Sequence, residues 1–153
     1  MTTGFIKCSD RDAWLEARRQ GIGASDAAAI LGEDPNKSAF LVWAEKTGNV
    51  GPESEMSEAA EFGLLLELPI AKAFAARTGR QVTMWENFKI VRDAEHYWLA
   101  CTPDAEQFDG EKGLGLLQIK TTSEYKKEDW ADGPPIKFQI QLQHELRVTG
   151  HQW

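Results

Sequence analysis

The stretch Ala100–Thr122, ACTPDAEQFDGEKGLGLLQIKTT, leaves few folds open to this chain. It reads as two short strands joined by a polar, glycine-rich turn. The first strand closes at Thr102-Pro103-Asp104, the turn carries Asp109-Gly110 and then Gly113 and Gly115, and the second strand is Leu116-Leu117-Gln118-Ile119-Lys120. Side chains two apart on a strand share a face, so Gln118 and Lys120 point the same way. Asp104 and a ligand on the next strand could share a divalent metal. Mg²⁺ takes hard oxygens, commonly one or two carboxylates with a backbone carbonyl and waters. A lysine beside it could orient an attacking water or steady charge on a phosphate. The pattern, an acid followed by (D/E)-x-K, is short, and a surface hairpin with an edge lysine satisfies it equally. Gln118 stands where that pattern has its second acid. The amide keeps the shape and an oxygen donor but loses the negative charge.

The flanking segments place this stretch among helices. Ser9 with Asp12 three residues on reads as a capped start to a helix that runs through Trp14–Arg19 and stops at Gly21. Ser25 or Asp26 caps a second helix over the apolar run Ala27–Leu31. Its N–H groups, with Ser25 and Arg18, form either an ordinary cap or an anion site. A third helix spans Ala39–Thr47, closed by Gly48, and Asn49–Ser54 is a short polar linker. The longest helix opens at Ser57 and ends at Gly79. Phe62, Leu65, Leu66, Ile70, Ala73 and Phe74 recur at three and four, as a core-facing stripe does. Glu67 lies beside that stripe. It is either a solvated helix acid paired with a base or a buried carboxylate in need of a partner. Pro69 should kink this helix or break it near Glu67. Three strands follow, Gln81–Met84, Phe88–Val91 and Tyr97–Cys101. A final helix, Ile136–Thr149, carries Gln139, Gln141 and Gln143 and stops at Gly150.

Composition bounds the partners. The 153 residues suit one domain over 1–153, and 42% hydrophobic with 27% charged residues is ordinary for a globular protein. No apolar run is long enough to span a membrane, and the N-terminus lacks a signal-peptide core. Two cysteines, Cys8 and Cys101, have no metal spacing and read as reduced thiols of a cytoplasm. A net charge of −7 disfavours nucleic acid unless the positive charge lines one groove. Arg18 with Arg19, Arg77 with Arg80, and Lys120 with Lys126 and Lys127 are the clusters that could do so.

Taken together, these segments resemble the lambda-exonuclease/YqaJ-type viral recombinase family, a branch of the PD-(D/E)XK nucleases. Trp14 to Ser25 is similar to its N-terminal motif. Glu61-Phe62-Gly63 to Glu67, then Ala71 to Gly79, is similar to its G-x-x-x-E helix. Thr102-Pro103-Asp104 is similar to its S/T-P-D motif and Leu116 to Thr121 to its L-E-I-K-T strand. Gln141-Leu142-Gln143-His144-Glu145-Leu146-Arg147-Val148-Thr149-Gly150 is similar to its Q-V-Q-H-Q-L-x-V-T-G helix.

The resemblance implies an α/β (α+β) fold with a central mixed sheet flanked by helices. It makes Asp104 the metal carboxylate, puts Gln118 at the second metal carboxylate, and gives the Ile119 carbonyl to the metal. Lys120 becomes the catalytic lysine, Glu67 an active-site acid, and Gln141 a polar residue beside it. Arg18 and Ser25 fall at positions the family uses on the DNA 5′-phosphate. The implied activity is 5′-to-3′ digestion of double-stranded DNA ends with Mg²⁺, Mn²⁺ substituting. It leaves 3′ single strands for an annealing protein, and some members close into a ring trimer. Two departures qualify this. Gln118 replaces the expected Glu, as in an engineered knock-out or a natural inactive variant, and implies weakened or absent activity. A non-catalytic DNA-end or protein-binding module on the same fold is the alternative. The family also continues past the position of Trp153 with further strands and a helix, so the chain resembles a cloned fragment, a truncated gene or a shorter natural variant, and loss of those strands would expose a sheet edge.

Overall fold

A computed structural model describes residues 4–51 and 57–153. Half of the expected 49–54 linker, residues 52–54, therefore lies outside the described residues. Among the described residues six strands and five α-helices alternate irregularly: β1 (Gly4–Lys7), α1 (Arg11–Arg19), α2 (Ala24–Ile30), α3 (Ala39–Lys46), α4 (Glu58–Thr78), β2 (Gln81–Met84), β3 (Lys89–Arg92), β4 (Ala100–Cys101), β5 (Ala105–Asp109), β6 (Gly113–Leu117) and α5 (Ile136–Thr149). The class is α+β, as expected.

The strands divide into two three-stranded antiparallel sheets, ordered β1-β3-β4 and β2-β5-β6. Among the described residues a parallel bridge joins Ile22 to Leu99, outside the named strands. The expected hairpin is cut differently from the sequence reading. The first strand ends at Cys101, and a new strand starts at Ala105 in the other sheet. Thr102-Pro103-Asp104 is thus the crossing between sheets. Ala105–Asp109 pairs with Gly113–Leu117, so Gly113 and Gly115 belong to a strand and only residues 110–112 make the turn. Gln118–Lys120 lies just past β6. Tyr97–Leu99 is likewise outside β4, and β1 was not anticipated. Its four residues alternate half-buried and exposed, too short a pattern to stand out.

Local capping chemistry sets most helix ends. Ser38 and Ser57 each accept a backbone N–H three residues on, from Leu41 and Ala60. Gly79 and Gly150 end α4 and α5 in the left-handed conformation that glycine adopts without penalty. Asp10, not Ser9, caps α1, its carboxylate accepting from Ala13 N–H at 2.9 Å. The Ser9 hydroxyl instead donates to that carboxylate. Gly23 caps α2, and Asp26 at its third position accepts from the Gly23 N–H. Pro69 does not break α4, which runs unbroken from Glu58 to Thr78. The carbonyl deprived of its donor is that of Leu65, a residue 63% exposed.

The core gathers Ala24, Val91, Cys101 and Val148, with Trp85 and Leu99 packed against them. Ala24, Ala28 and Ala29 are buried on α2, and their small side chains let it lie close along α5. Arg92, 1% exposed, donates to the Ala17 and Tyr97 carbonyls, both at 2.9 Å. The Ala17 contact places a cation at the C-terminal end of α1, on a carbonyl that also accepts the Gln20 N–H. Gly21 makes room for it, since a Cβ there would lie 2.6 Å from the Arg92 guanidinium. At the far end, the Trp153 carbonyl accepts from Leu116 N–H on the free side of β6, and its ring lies against Gly115. Cys8 and Cys101 are unpaired. Among the described residues no helix is long and apolar enough to cross a membrane.

The expected core stripe of α4 is not found. Phe62, Leu65, Leu66 and Ile70 are exposed, as is Ala73, and only Phe74 of that set is half-buried. The face turned inward is instead Gly63, Glu67, Ala71 and Ala75, spaced by four. Apolar residues surround this helix on all sides, so periodicity could not choose the buried face. Small residues on the chosen face allow close approach: a Cβ on Gly63 would sit 3.6 Å from the Thr121 hydroxyl.

Candidate active site

Asp104, at the crossing between the sheets, meets the segment just past β6. Its Oδ2 accepts the Ile119 N–H at 2.6 Å and stands 4.0 Å from Lys120 Nζ. This backbone hydrogen bond holds the segment that carries Lys120 against the acid. Burial pushes the Asp104 carboxyl above its ordinary value, against the opposing pull of Lys120 and the Ile119 N–H.

Helix α4 brings Glu67 to the same place. An open cleft of about 330 Å³ is lined by Ala60, Gly63, Glu67, Ile119, Lys120 and Thr121, among others. Burial, then the nearby Asp104 charge, raises the Glu67 carboxyl, while Lys120 opposes. Of the two readings of Glu67, the partly buried acid coupled to this site is the one found.

Helix α5 adds what the sequence reading missed. Gln141 Nε2 donates to Glu145 Oε1 at 3.0 Å, and Gln118 Nε2 donates to the same oxygen at 3.1 Å. Glu145 is 1% exposed. Burial pushes its carboxyl up to about 7; the Gln141 hydrogen bond lowers it, Asp104 raises it and Lys120 lowers it. A signal existed. Gln141 and Glu145 are four apart on one helix and share a face. Glu145 also interrupts the Q-V-Q-H-Q-L motif at its third Gln.

Six of the predicted residues therefore converge: Glu67, Asp104, Gln118, Ile119, Lys120 and Gln141, joined by Glu145. Arg18 and Ser25 form a separate group where α1 meets α2. Arg18 donates to Ser25 Oγ at 3.3 Å and lies 4.5 Å from the centre of the Trp14 ring. Burial lowers the Arg18 pKa, while the Asp26 and Glu45 charges oppose. Asp26 is itself held by Lys46 at 2.7 Å and Lys37 at 3.1 Å. Among the described residues no hydrogen bond or ion pair links this group to Asp104.

Glu67, Asp104 and Glu145 all lie within electrostatic reach of Lys120, and Asp104 is the one paired with it. The donors of this cluster are hard oxygens, which suit Mg²⁺ or Mn²⁺ rather than a thiolate- or imidazole-bound metal. Among the described residues no three His, Cys, Asp or Glu side chains are gathered closely enough to enclose a metal. Two acids with a carbonyl and waters form the set this arrangement could offer.

Comparison with known proteins agrees with this architecture. A sequence model of the YqaJ-like viral recombinase domain matches residues 13–152. An uncharacterized protein, YqaJ, of Bacillus subtilis (strain 168) is 41% identical over 144 residues, 94% of this chain and 44% of that protein. The chain thus spans less than half of that relative. Protein D345L of African swine fever virus is 39% identical over 56 residues, 37% of this chain and 16% of that protein. Two crystal structures of LHK-Exo, an alkaline exonuclease from Laribacter hongkongensis, superpose with TM-scores of 0.70 and 0.69. One of them is a complex with dAMP. Identity is 23% and 24%, over 94% of this chain and 71% of theirs, a likeness of fold.

Proposed function

The chain belongs to the YqaJ-like viral recombinase family, and from that premise we propose that it is a metal-dependent nuclease acting on double-stranded DNA ends. The observation that carries the reading is the Asp104 carboxylate locked to the Ile119 N–H beside Lys120, with Glu67 across an open cleft. Its fold neighbours include an alkaline exonuclease, which supports the reaction class.

The donor set fits Mg²⁺, with Mn²⁺ as a substitute. Asp104, the Ile119 carbonyl and the amide oxygen at position 118 would hold it. When bound, such a cation lowers the pKa of water and polarises a phosphate. The chain's own residues do the rest. Lys120 orients the attacking water and steadies charge growing on the scissile phosphate. Ile119 fixes the Asp104 carboxylate by its N–H, so the acid does not reorganise during reaction. Glu67, whose carboxyl burial raises above its ordinary value, lines the cleft and can hand a proton to it or take one from it. Arg18 and Ser25 receive a 5′-phosphate, which sets 5′-to-3′ polarity and leaves a 3′ strand for an annealing protein.

The test is a duplex with one 5′-phosphorylated end, incubated with Mg²⁺. Strand-specific shortening from that end, abolished by Asp104→Asn, is expected. Equal digestion by Asp104→Asn would sink the reading. Neutral Gln118 favours a second one, a DNA-end-binding module without hydrolysis. Salt-sensitive binding in EDTA, weakened by Arg18→Ala and never followed by cutting, would select it.

A further inference from the structure

The neutral amide at position 118 leaves the site with a missing charge, and the structure contains a carboxylate that nothing else explains. Glu145 is 1% exposed, and no Lys, Arg or His among the described residues forms an ion pair with it. A buried carboxylate without a cation is strongly disfavoured. Two amides, Gln118 and Gln141, aim their N–H groups at one of its oxygens, Oε1, at 3.1 and 3.0 Å. No hydrogen bond to Oε2 is formed among the described residues. The carboxylate is therefore held on one side and open on the other.

We infer that Glu145 supplies the second negative charge of the metal site, moved from the end of β6 onto α5. The inference rests on the metal-dependent reading above. It follows from which two residues touch. Gln118 directly precedes Ile119, whose N–H holds Asp104, and Glu145 faces Gln118 from α5. Gln118 and Glu145 are hydrogen-bonded to each other. One amide and one carboxylate share this hydrogen bond, and the carboxylate is the one on α5.

Calorimetric titration of the full chain with Mn²⁺, without DNA, tests this. Asp104→Asn should abolish binding. Glu145→Gln should weaken it at least about tenfold, the smaller loss expected even for a residue that only orients a ligand. The exchange Gln118→Glu/Glu145→Gln should restore affinity to within about threefold of the starting chain, because the charge returns to the strand while the pair keeps one acid and one amide. Circular dichroism melts confirm that each variant is folded. Unchanged Mn²⁺ affinity in Glu145→Gln, with binding lost in Asp104→Asn, overturns the inference and leaves the metal reading standing. Failure of the double exchange to restore binding also overturns it. Unchanged affinity in Asp104→Asn refutes the metal reading itself.

Discussion

Helices α4 and α5 flank the same lysine and follow opposite rules. The leucine-rich helix is open to solvent: Leu65 is 63% exposed and Phe62 is 55% exposed. The glutamine-rich helix hides a carboxylate, Glu145, at 1%. Each carries an acid whose raised carboxyl Lys120 pulls back down, Glu67 on α4 and Glu145 on α5. Their different burial comes from their neighbours. Helix α5 lies against α2, β3 and β4, whereas α4 packs chiefly on β2. Which face of a helix is buried depends on what the fold brings to it, and an apolar surface without a neighbour stays exposed.

The largest effect expected is at the lysine whose charge both acids feel. Lys120→Ala should slow Mg²⁺-dependent duplex digestion by about 10²–10³-fold, the loss typical when one preorganised electrostatic group is removed. A gel assay with a 5′-phosphorylated duplex reads this. Digestion that survives at a tenth or more of the starting rate would mean that the two helices do not converge on the reacting group.

Glu145 gives the next effect, and its sign is opposite to that of a stabilising residue. In metal-free solution its carboxyl is raised from 4.5 to about 7 in the folded chain. Below about pH 4.5 the group is neutral whether folded or not, and contributes no penalty. Between those values the unfolded chain ionises first, so the penalty grows, and it is complete above about pH 7. Glu145→Gln keeps an oxygen acceptor and removes the charge. In EDTA it should therefore stabilise the fold by up to about 3 kcal/mol at pH 8 and by almost nothing at pH 4. Urea melts at the two pH values test it. A variant less stable at pH 8 would show that the carboxylate is a structural asset and not a buried charge kept for another purpose.

These two residues also mark what the sequence could and could not reveal. Lys120 was legible because its neighbours in sequence place it: a period-two strand end and an acid before a turn. The capped ends of α4 were legible for the same reason, since Ser57 and Gly79 act within four residues. Glu145 was not, because its meaning lies in Gln118, 27 residues away and joined only in the fold. The break between β4 and β5 was hidden likewise. Thr102-Pro103-Asp104 looks like the end of a strand, and only the second sheet turns it into a crossing. The core stripe of α4 failed on different grounds. A helix apolar on every side has no periodic signal from which to choose, and the small residues Gly63, Ala71 and Ala75 that mark the true inner face look unremarkable in a row of leucines.

Core truncation on α5 comes next in size. Val148 is fully buried in the cluster with Ala24, Val91 and Cys101. Val148→Ala should cost about 2 kcal/mol, from two lost methyl groups and the space they leave. The midpoint of urea unfolding should fall with its slope unchanged. A loss below half that would mean that α2 closes onto α5 when the side chain shrinks.

The smallest expected effect belongs to the most apolar stretch of the chain. Leu65→Ala removes more carbon than Val148→Ala, yet it should change stability by less than about 0.5 kcal/mol. Leu65 is already 63% exposed, so truncation returns little apolar surface to water and opens no cavity. Alanine also favours the helix slightly over leucine, which offsets part of the remainder. The comparison is sharpest when both variants are unfolded under one set of conditions, because hydrophobicity ranks them one way and burial the other. A Leu65→Ala loss that matches or exceeds that of Val148→Ala, at low protein concentration where association is absent, would show that this face of α4 is covered in the folded chain. The contrast between the two helices would then be undone at its source.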